Sequence, residues 1–202
     1  MNPELETKKY IVVRNVLSED LLQILNNYSL IKFTIQKEYS SSIGRFSGIN
    51  DSVQPCSVFD YADPMTESLM INLLPLIRKH TKIKTLEPSY SYVRFYEKGQ
   101  WLEEHTDRPS CQYSITLPIM SYDNTTWSIH LKESSDENAE EVSIDLKLGD
   151  MLIYKGCETK HWREPLRGVY QTQAHLHYID DSIEAYQPYK YDGREFLGSR
   201  QK

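Results

Sequence analysis

Three side chains define the chemistry open to this sequence. His105 and Asp107 stand two positions apart at the end of the run 96–107, and His161 follows the later run 149–156. Residues i and i+2 of a β-strand point to the same face, so His105 and Asp107 can face one metal ion while His161 arrives from another strand. Two imidazoles and one carboxylate are the donor set of a facial triad, which holds non-haem Fe(II) on one side and leaves the opposite positions open. An isolated His-x-Asp is common on solvated turns. The flanking order makes this one specific: a β-rich stretch at 89–96, a turn containing Gly99, the His-x-Asp, then an apolar strand at 113–120. The distal half repeats the logic of strand, turn and ligand.

Other residues compete for metal. His175 and His177 form a His-x-His on a strand, which invites a cupin-type site with Glu184. The same strand face holds Gln171 and Gln173. His80, at a helix end, and His130, on a strand, read as structural. Cys111 and Cys157 read as small core cysteines rather than ligands.

The elements that must position these groups are α+β, mainly β. Residues 8–16 read as a strand from their β-branched content. Ser18 is a plausible N-cap, with acids in the first turn and Leu21, Leu22, Leu25 and Tyr28 at helical spacing. A second helix is expected over 64–80, with Met65, Leu69, Leu73, Leu76 and Ile77 on one side and a kink at Pro75. From residue 84 the pattern becomes short strands and turns, as in a sandwich or jelly roll. Strands are expected near 90–96, 103–106, 113–120, 127–131, 141–146, 150–154 and 171–178. The acidic connection 132–138 reads as a solvated hairpin loop. Residues 38–63 read as a long turn-rich connection of the kind that forms lids. The sequence holds 15 Tyr. Those of the segment 181–202 are expected to pack on the exterior of the fold.

At 202 residues, one domain with a sizeable core is expected. Its catalytic β-region spans about 84–180, its N-terminal strand and helices 8–80 and its tail 181–202. The net charge of −6 and the dispersed Lys and Arg argue against a nucleic-acid-binding protein. There is no apolar stretch of membrane-spanning length. The acidic start lacks an apolar signal-peptide region. Three cysteines without close paired spacing fit a reduced, cytoplasmic chain.

The order of these residues resembles the Fe(II)- and 2-oxoglutarate-dependent oxygenases, particularly the prolyl-4-hydroxylase-like branch. The likeness covers roughly residues 8–180 and is specific at 94–99, 105–111 and 149–165. It implies a double-stranded β-helix (a jelly roll) braced by N-terminal helices. His105, Asp107 and His161 would hold Fe(II), and 2-oxoglutarate and O₂ would be consumed to oxidise a C–H bond, with release of succinate and CO₂. Members of the branch usually carry a cation about ten positions after the distal His, for the far carboxylate of 2-oxoglutarate. Here that region reads Val169-Tyr170-Gln171-Thr172-Gln173. A buried carboxylate requires a charge partner, so the cation is expected elsewhere: Arg94 first, Arg163 second, Arg108 and Arg167 behind them. Tyr96, Gln171 and Gln173 are expected around the co-substrate, and Arg108 and Trp162 beside the substrate. The retained carboxylate of Asp107 favours hydroxylation over halogenation. A small molecule of amino-acid or natural-product type is the expected substrate. A residue of a protein is the alternative, and a non-catalytic jelly-roll binding module is the reading from a different class.

Overall fold

The computed structural model describes residues 1–39, 47–50 and 55–199. Short helix α1 (Pro3–Thr7) leads into strand β1 (Tyr10–Val13) and long helix α2 (Glu19–Tyr39). Strands β2 (Ser47–Asn50) and β3 (Pro55–Tyr61) precede helix α3 (Pro64–Thr81). The rest is β: β4 (Leu86–Glu97), β5 (Leu102–His105), β6 (Tyr113–Ser121), β7 (Ile129–Glu133), β8 (Val142–Ile144), β9 (Met151–Tyr154), β10 (Thr159–Arg163) and β11 (Tyr170–Asp180). Seven strands form one sheet in the order β1-β9-β6-β11-β4-β3-β2, and four form a second in the order β5-β10-β7-β8. This is the expected jelly roll.

The helices brace the outer face of the large sheet. Leu25 of α2 and Leu69, Met70, Leu73 and Ile77 of α3 share one core with Val93, Phe95, Ile115, Leu117, Ala174 and Leu176. Burying such side chains contributes about 1.5–3 kcal/mol each. A smaller core lies between the sheets, where Ile129, Leu131 and Ile144 meet Leu152 and Tyr154. Ser18 caps α2 as its position suggests, Oγ accepting from the Leu21 N–H at 3.3 Å. Asp63 caps α3 through the Met65 and Thr66 N–H groups, and the helix runs on past Pro75 to Thr81. No helix among the described residues is long and apolar enough to cross a membrane.

Several expectations are corrected. Helix α1 is capped by Asn2, whose side chain also donates to the His80 carbonyl at 2.7 Å. It carries a single buried residue, Leu5, too few to leave a periodic pattern. Within 38–63, residues 47–50 and 55–61 are a hairpin added to the edge of the large sheet, not loop. Residues 40–46 and 51–54, on which the rest of the lid expectation falls, lie outside the described residues. His161 does arrive on a strand, β10, but the apolar pattern gave that strand no boundaries, because its inward side chains Thr159, His161 and Arg163 are polar and leave no apolar alternation. Trp127 precedes β7; it is buried against Tyr96 and Leu166, with its indole N–H on the Glu164 carbonyl at 2.7 Å.

The C-terminal segment Glu184–Gly193 is built of 3₁₀ turns broken at Lys190–Asp192. None of its residues is buried, so its tyrosines lie on the exterior of the fold. Arg194, beyond it, is buried with Glu67 of α3 at 2.5 Å and also donates to the carbonyls of Tyr191, Ser199 and Ser89.

Candidate metal centre and its cavity

The small sheet delivers two of the three predicted ligands. β5 and β10 are antiparallel, and His105 and His161 are directly paired across them, with ring centroids 4.2 Å apart. The Nδ1 of His105 lies 2.7 Å from the Glu103 carbonyl, and that of His161 lies 3.0 Å from the Thr159 carbonyl. A carbonyl only accepts, so both Nδ1 atoms carry the hydrogen, the tautomer that turns the Nε2 lone pair of a neutral imidazole to a metal. These Nε2 atoms stand 3.7 and 3.6 Å from Asp107 Oδ1.

Asp107 sits beyond the end of β5, so the two-residue strand period alone does not place it. Its N–H donates to the Gly156 carbonyl at 2.9 Å, and its second oxygen accepts from Ser114 Oγ at 2.5 Å. Burial alone would raise the Asp107 pKa, but the imidazoles of His161 and His177 and the Ser114 hydrogen bond hold it below the ordinary range. Burial, the largest influence on His161, lowers its pKa. Both shifts favour the carboxylate of Asp107 and the neutral imidazole of His161, the forms that bind a divalent cation. The ligand atoms of His105, Asp107 and His161 all lie within 4.8 Å of one another.

These residues open into a cavity of about 420 Å³. Four alternate residues of β4 (Tyr90, Tyr92, Arg94 and Tyr96) line it together, the period-two face of one strand. Tyr61, Arg108, Cys111, Tyr154, His175 and His177 complete much of the wall. Arg94 stacks over Tyr92 at 4.6 Å and Arg108 over Tyr90 at 4.5 Å. At the rim, Asp192 accepts from Arg108 at 2.8 Å and from the Tyr61 hydroxyl at 2.5 Å. The C-terminal segment thereby ties β3 to the loop that follows Asp107.

The remaining predicted residues divide. Arg94, Tyr96 and Arg108 line the cavity. Arg163 lies behind it, 1% exposed. Its guanidinium donates to the Trp127 carbonyl and reaches Thr116 Oγ1 at 3.3 Å and Gln173 Oε1 at 3.4 Å. Its Nε has no partner, and no described carboxylate lies within ion-pair distance of it. Burial lowers its pKa to about 10.

Gln173 belongs to this network, donating to Gln171 Oε1 at 2.6 Å. Gln171 borders a separate cavity of about 340 Å³ with Asn15, Thr125 and Lys147. At about 3.4 Å per residue it lies roughly 20 Å along β11 from His177, too far to face the centre. Trp162 is turned away from the cavity: between inward His161 and Arg163, alternation puts it on the outer face, stacked on His130 at 5.3 Å. The cupin-type trio is not assembled, since Glu184 joins neither ligand cluster among the described residues.

Ser114, Tyr154 and Gly156 were assigned no role from the sequence. Tyr154 meets His161 edge-on at 4.9 Å. A Cβ on Gly156 would collide with Asp107 Oδ2, and would stand 2.5 Å from Ser114 Oγ and 2.6 Å from the Cys111 carbonyl. Its place in the quoted 149–156 run was the one available signal.

No family model matches the sequence, and no curated protein matches it. Solved structures do match. A prolyl-4-hydroxylase of Pseudomonas putida is 13% identical with a TM-score of 0.58, covering 86% of this chain and 95% of its own. The non-haem α-ketoglutarate-dependent epimerase SnoN from nogalamycin biosynthesis is 11% identical at a TM-score of 0.66, covering 88% and 80%. A prolyl hydroxylase from Trichoplax adhaerens, solved with a hypoxia-inducible-factor peptide, is 14% identical at 0.59, covering 90% and 88%. By fold, the chain stands with the 2-oxoglutarate- and Fe(II)-dependent oxygenases.

Proposed function

We propose that the chain is an Fe(II)- and 2-oxoglutarate-dependent oxygenase that hydroxylates a C–H bond of a small molecule. The observation that carries the reading is the set of His105 Nε2, His161 Nε2 and Asp107 Oδ1 at the mouth of a jelly roll, with Arg163 buried behind it and no carboxylate among the described residues paired with it.

The residues fit both absent groups. His105, Asp107 and His161 would hold the iron on one face and leave the cavity side open. Arg163 would pair with the far carboxylate of 2-oxoglutarate, assisted by Thr116, with Tyr96 and Tyr154 flanking the path. A fully buried cation is costly without a counter-charge, and a co-substrate dianion supplies one. Arg163 thus replaces Arg94 as first candidate for that role, while Arg94 on the cavity wall is assigned to the substrate side with Arg108. The iron and 2-oxoglutarate, when bound, supply the O₂-dependent oxidising chemistry. The chain's own residues fix the ligand geometry through Glu103, Thr159 and Ser114 and keep water from the reacting bond with an aromatic wall.

A small molecule is favoured over a protein segment because the C-terminal segment closes one side of the mouth through Asp192. The neighbours include enzymes named for both kinds of substrate. The test is anaerobic titration with Fe(II) and then 2-oxoglutarate. The visible charge-transfer band of a chelated keto acid is expected in the native chain and absent in Asp107→Ala. A native chain that binds Fe(II) yet gives no band would sink the reading.

A further inference from the structure

We infer that Asp107, Cys111 and His177 form a second metal site, thiolate-bearing and suited to Zn²⁺, which shares Asp107 with the iron site and is filled only when that site is not. The site follows from the side chains themselves. Only its competition with iron rests on the oxygenase reading.

The described residues contain two groups of three ligating side chains whose ligand atoms all lie within 4.8 Å, and Asp107 belongs to both. The carboxylate is turned two ways: Oδ1 toward His105 and His161, Oδ2 toward Ser114. The second group lies on the Ser114 side. Ser114 Oγ contacts Asp107 Oδ2, His177 Nδ1 at 3.0 Å and the Cys111 carbonyl at 3.3 Å. One hydroxyl therefore cross-links the three elements that carry the ligands and holds them in place before any ion arrives. Cys111 is 1% and His177 6% exposed, yet both line the same cavity as Asp107, so an ion has a route in.

The donor set selects the ion. A thiolate beside an imidazole and a carboxylate suits borderline-soft Zn²⁺ and disfavours Mg²⁺, Ca²⁺ and Mn²⁺. Three protein ligands leave the fourth tetrahedral position to water. Zn–ligand bonds of about 2.0–2.3 Å require ligand atoms roughly 3.5 Å apart, so a trio lying within 4.8 Å must contract by at most about an ångström. The thiol binds as thiolate, and its proton passes to water through the cavity. With one ion, the charges of carboxylate and thiolate balance. Two divalent ions on a single shared carboxylate would leave four positive charges against two negative ones in a buried site, which electrostatics opposes.

The test uses Co²⁺ as the probe in His161→Ala, which lacks the iron site. A near-ultraviolet thiolate-to-cobalt charge-transfer band is expected there. It should be lost in His161→Ala/Cys111→Ser and in His161→Ala/His177→Gln, and retained in His161→Ala/Cys157→Ser. No band in His161→Ala, or a band that survives Cys111→Ser, overturns the site. Should those variants fail to fold, zinc-edge X-ray absorption of His105→Gln, which also lacks the iron site, with one equivalent of Zn²⁺ decides. A sulfur ligand at about 2.3 Å supports the site and its absence overturns it. Binding of two Co²⁺ per native chain would overturn the exclusivity. No 2-oxoglutarate band in the native chain together with a thiolate band in His161→Ala would sink the oxygenase reading alone, and the native 2-oxoglutarate band with no thiolate band in His161→Ala would sink the zinc site alone.

Discussion

Gly156 packs so closely on Asp107 that no side chain fits between them: a Cβ there would collide with the carboxylate and press on Ser114 Oγ at 2.5 Å. The same Gly156 accepts the Asp107 N–H at 2.9 Å. Gly156→Ala is therefore expected to turn the carboxylate and weaken Fe(II) binding by about 10–100-fold, the range for lost orienting contacts. Fe(II) titration beside far-ultraviolet circular dichroism checks this. Unchanged affinity in a folded variant would show that the carboxylate does not depend on the glycine.

Arg163 is a buried cation without an acid among the described residues. Arg163→Met should weaken 2-oxoglutarate binding by roughly 30-fold or more, since truncating one partner of a buried charged pair costs about 2–5 kcal/mol. The midpoint of thermal unfolding without 2-oxoglutarate should fall little, because replacing a buried charge by an apolar chain of similar size is often neutral. Paired 2-oxoglutarate titration and calorimetry check both parts. Full affinity in the variant would return the role to Arg94.

Asp150 gives a pH-dependent prediction. It is 2% exposed and accepts from Arg14 at 2.7 Å, the Asn15 N–H at 3.0 Å and the Lys147 N–H at 2.9 Å. Burial would raise its pKa, but these hydrogen bonds outweigh burial and depress it. The stability it contributes is thus fully present above the unfolded value of about 3.9 and is lost as pH falls toward the folded value. Asp150→Asn should cost about 1–3 kcal/mol at neutral pH. Urea unfolding should show the gap between variant and native narrowing below pH ~4.

Breaking the Arg194–Glu67 pair should be more damaging. Its side chains are 1% and 3% exposed, and removing one partner of such a pair costs about 3–5 kcal/mol. Arg194→Met should lower stability by that amount and release the C-terminal segment, read by urea unfolding and by amide exchange at the Gly198 N–H that Glu67 accepts.

The strands were legible where one face is apolar. The expected boundaries of the strands now seen as β4, β6, β9 and β11 lie within a few residues of those observed, because Val, Ile, Leu and Tyr alternate or run together there. Strand β10 was implied by the placing of His161 on another strand, but its bounds were not legible. Its inward face is Thr159, His161 and Arg163, so a strand devoted to polar groups carries no apolar signature.

What the sequence determined by itself was therefore local. It specified the Ser18 helix cap, the apolar faces, and a His-x-Asp and a later histidine at strand ends, because those patterns are set by neighbours a few positions apart. The tertiary structure decided everything that depends on cross-strand register. It opposed His105 to His161, put Gly156 under Asp107, and turned Trp162 outward while sealing Arg163 inside. It also brought Asp192 back to Arg108 across the whole β-domain. These contacts join residues far apart in the chain, and burial decided them: each depends on which face of a strand meets the core, and only the paired sheets determine that.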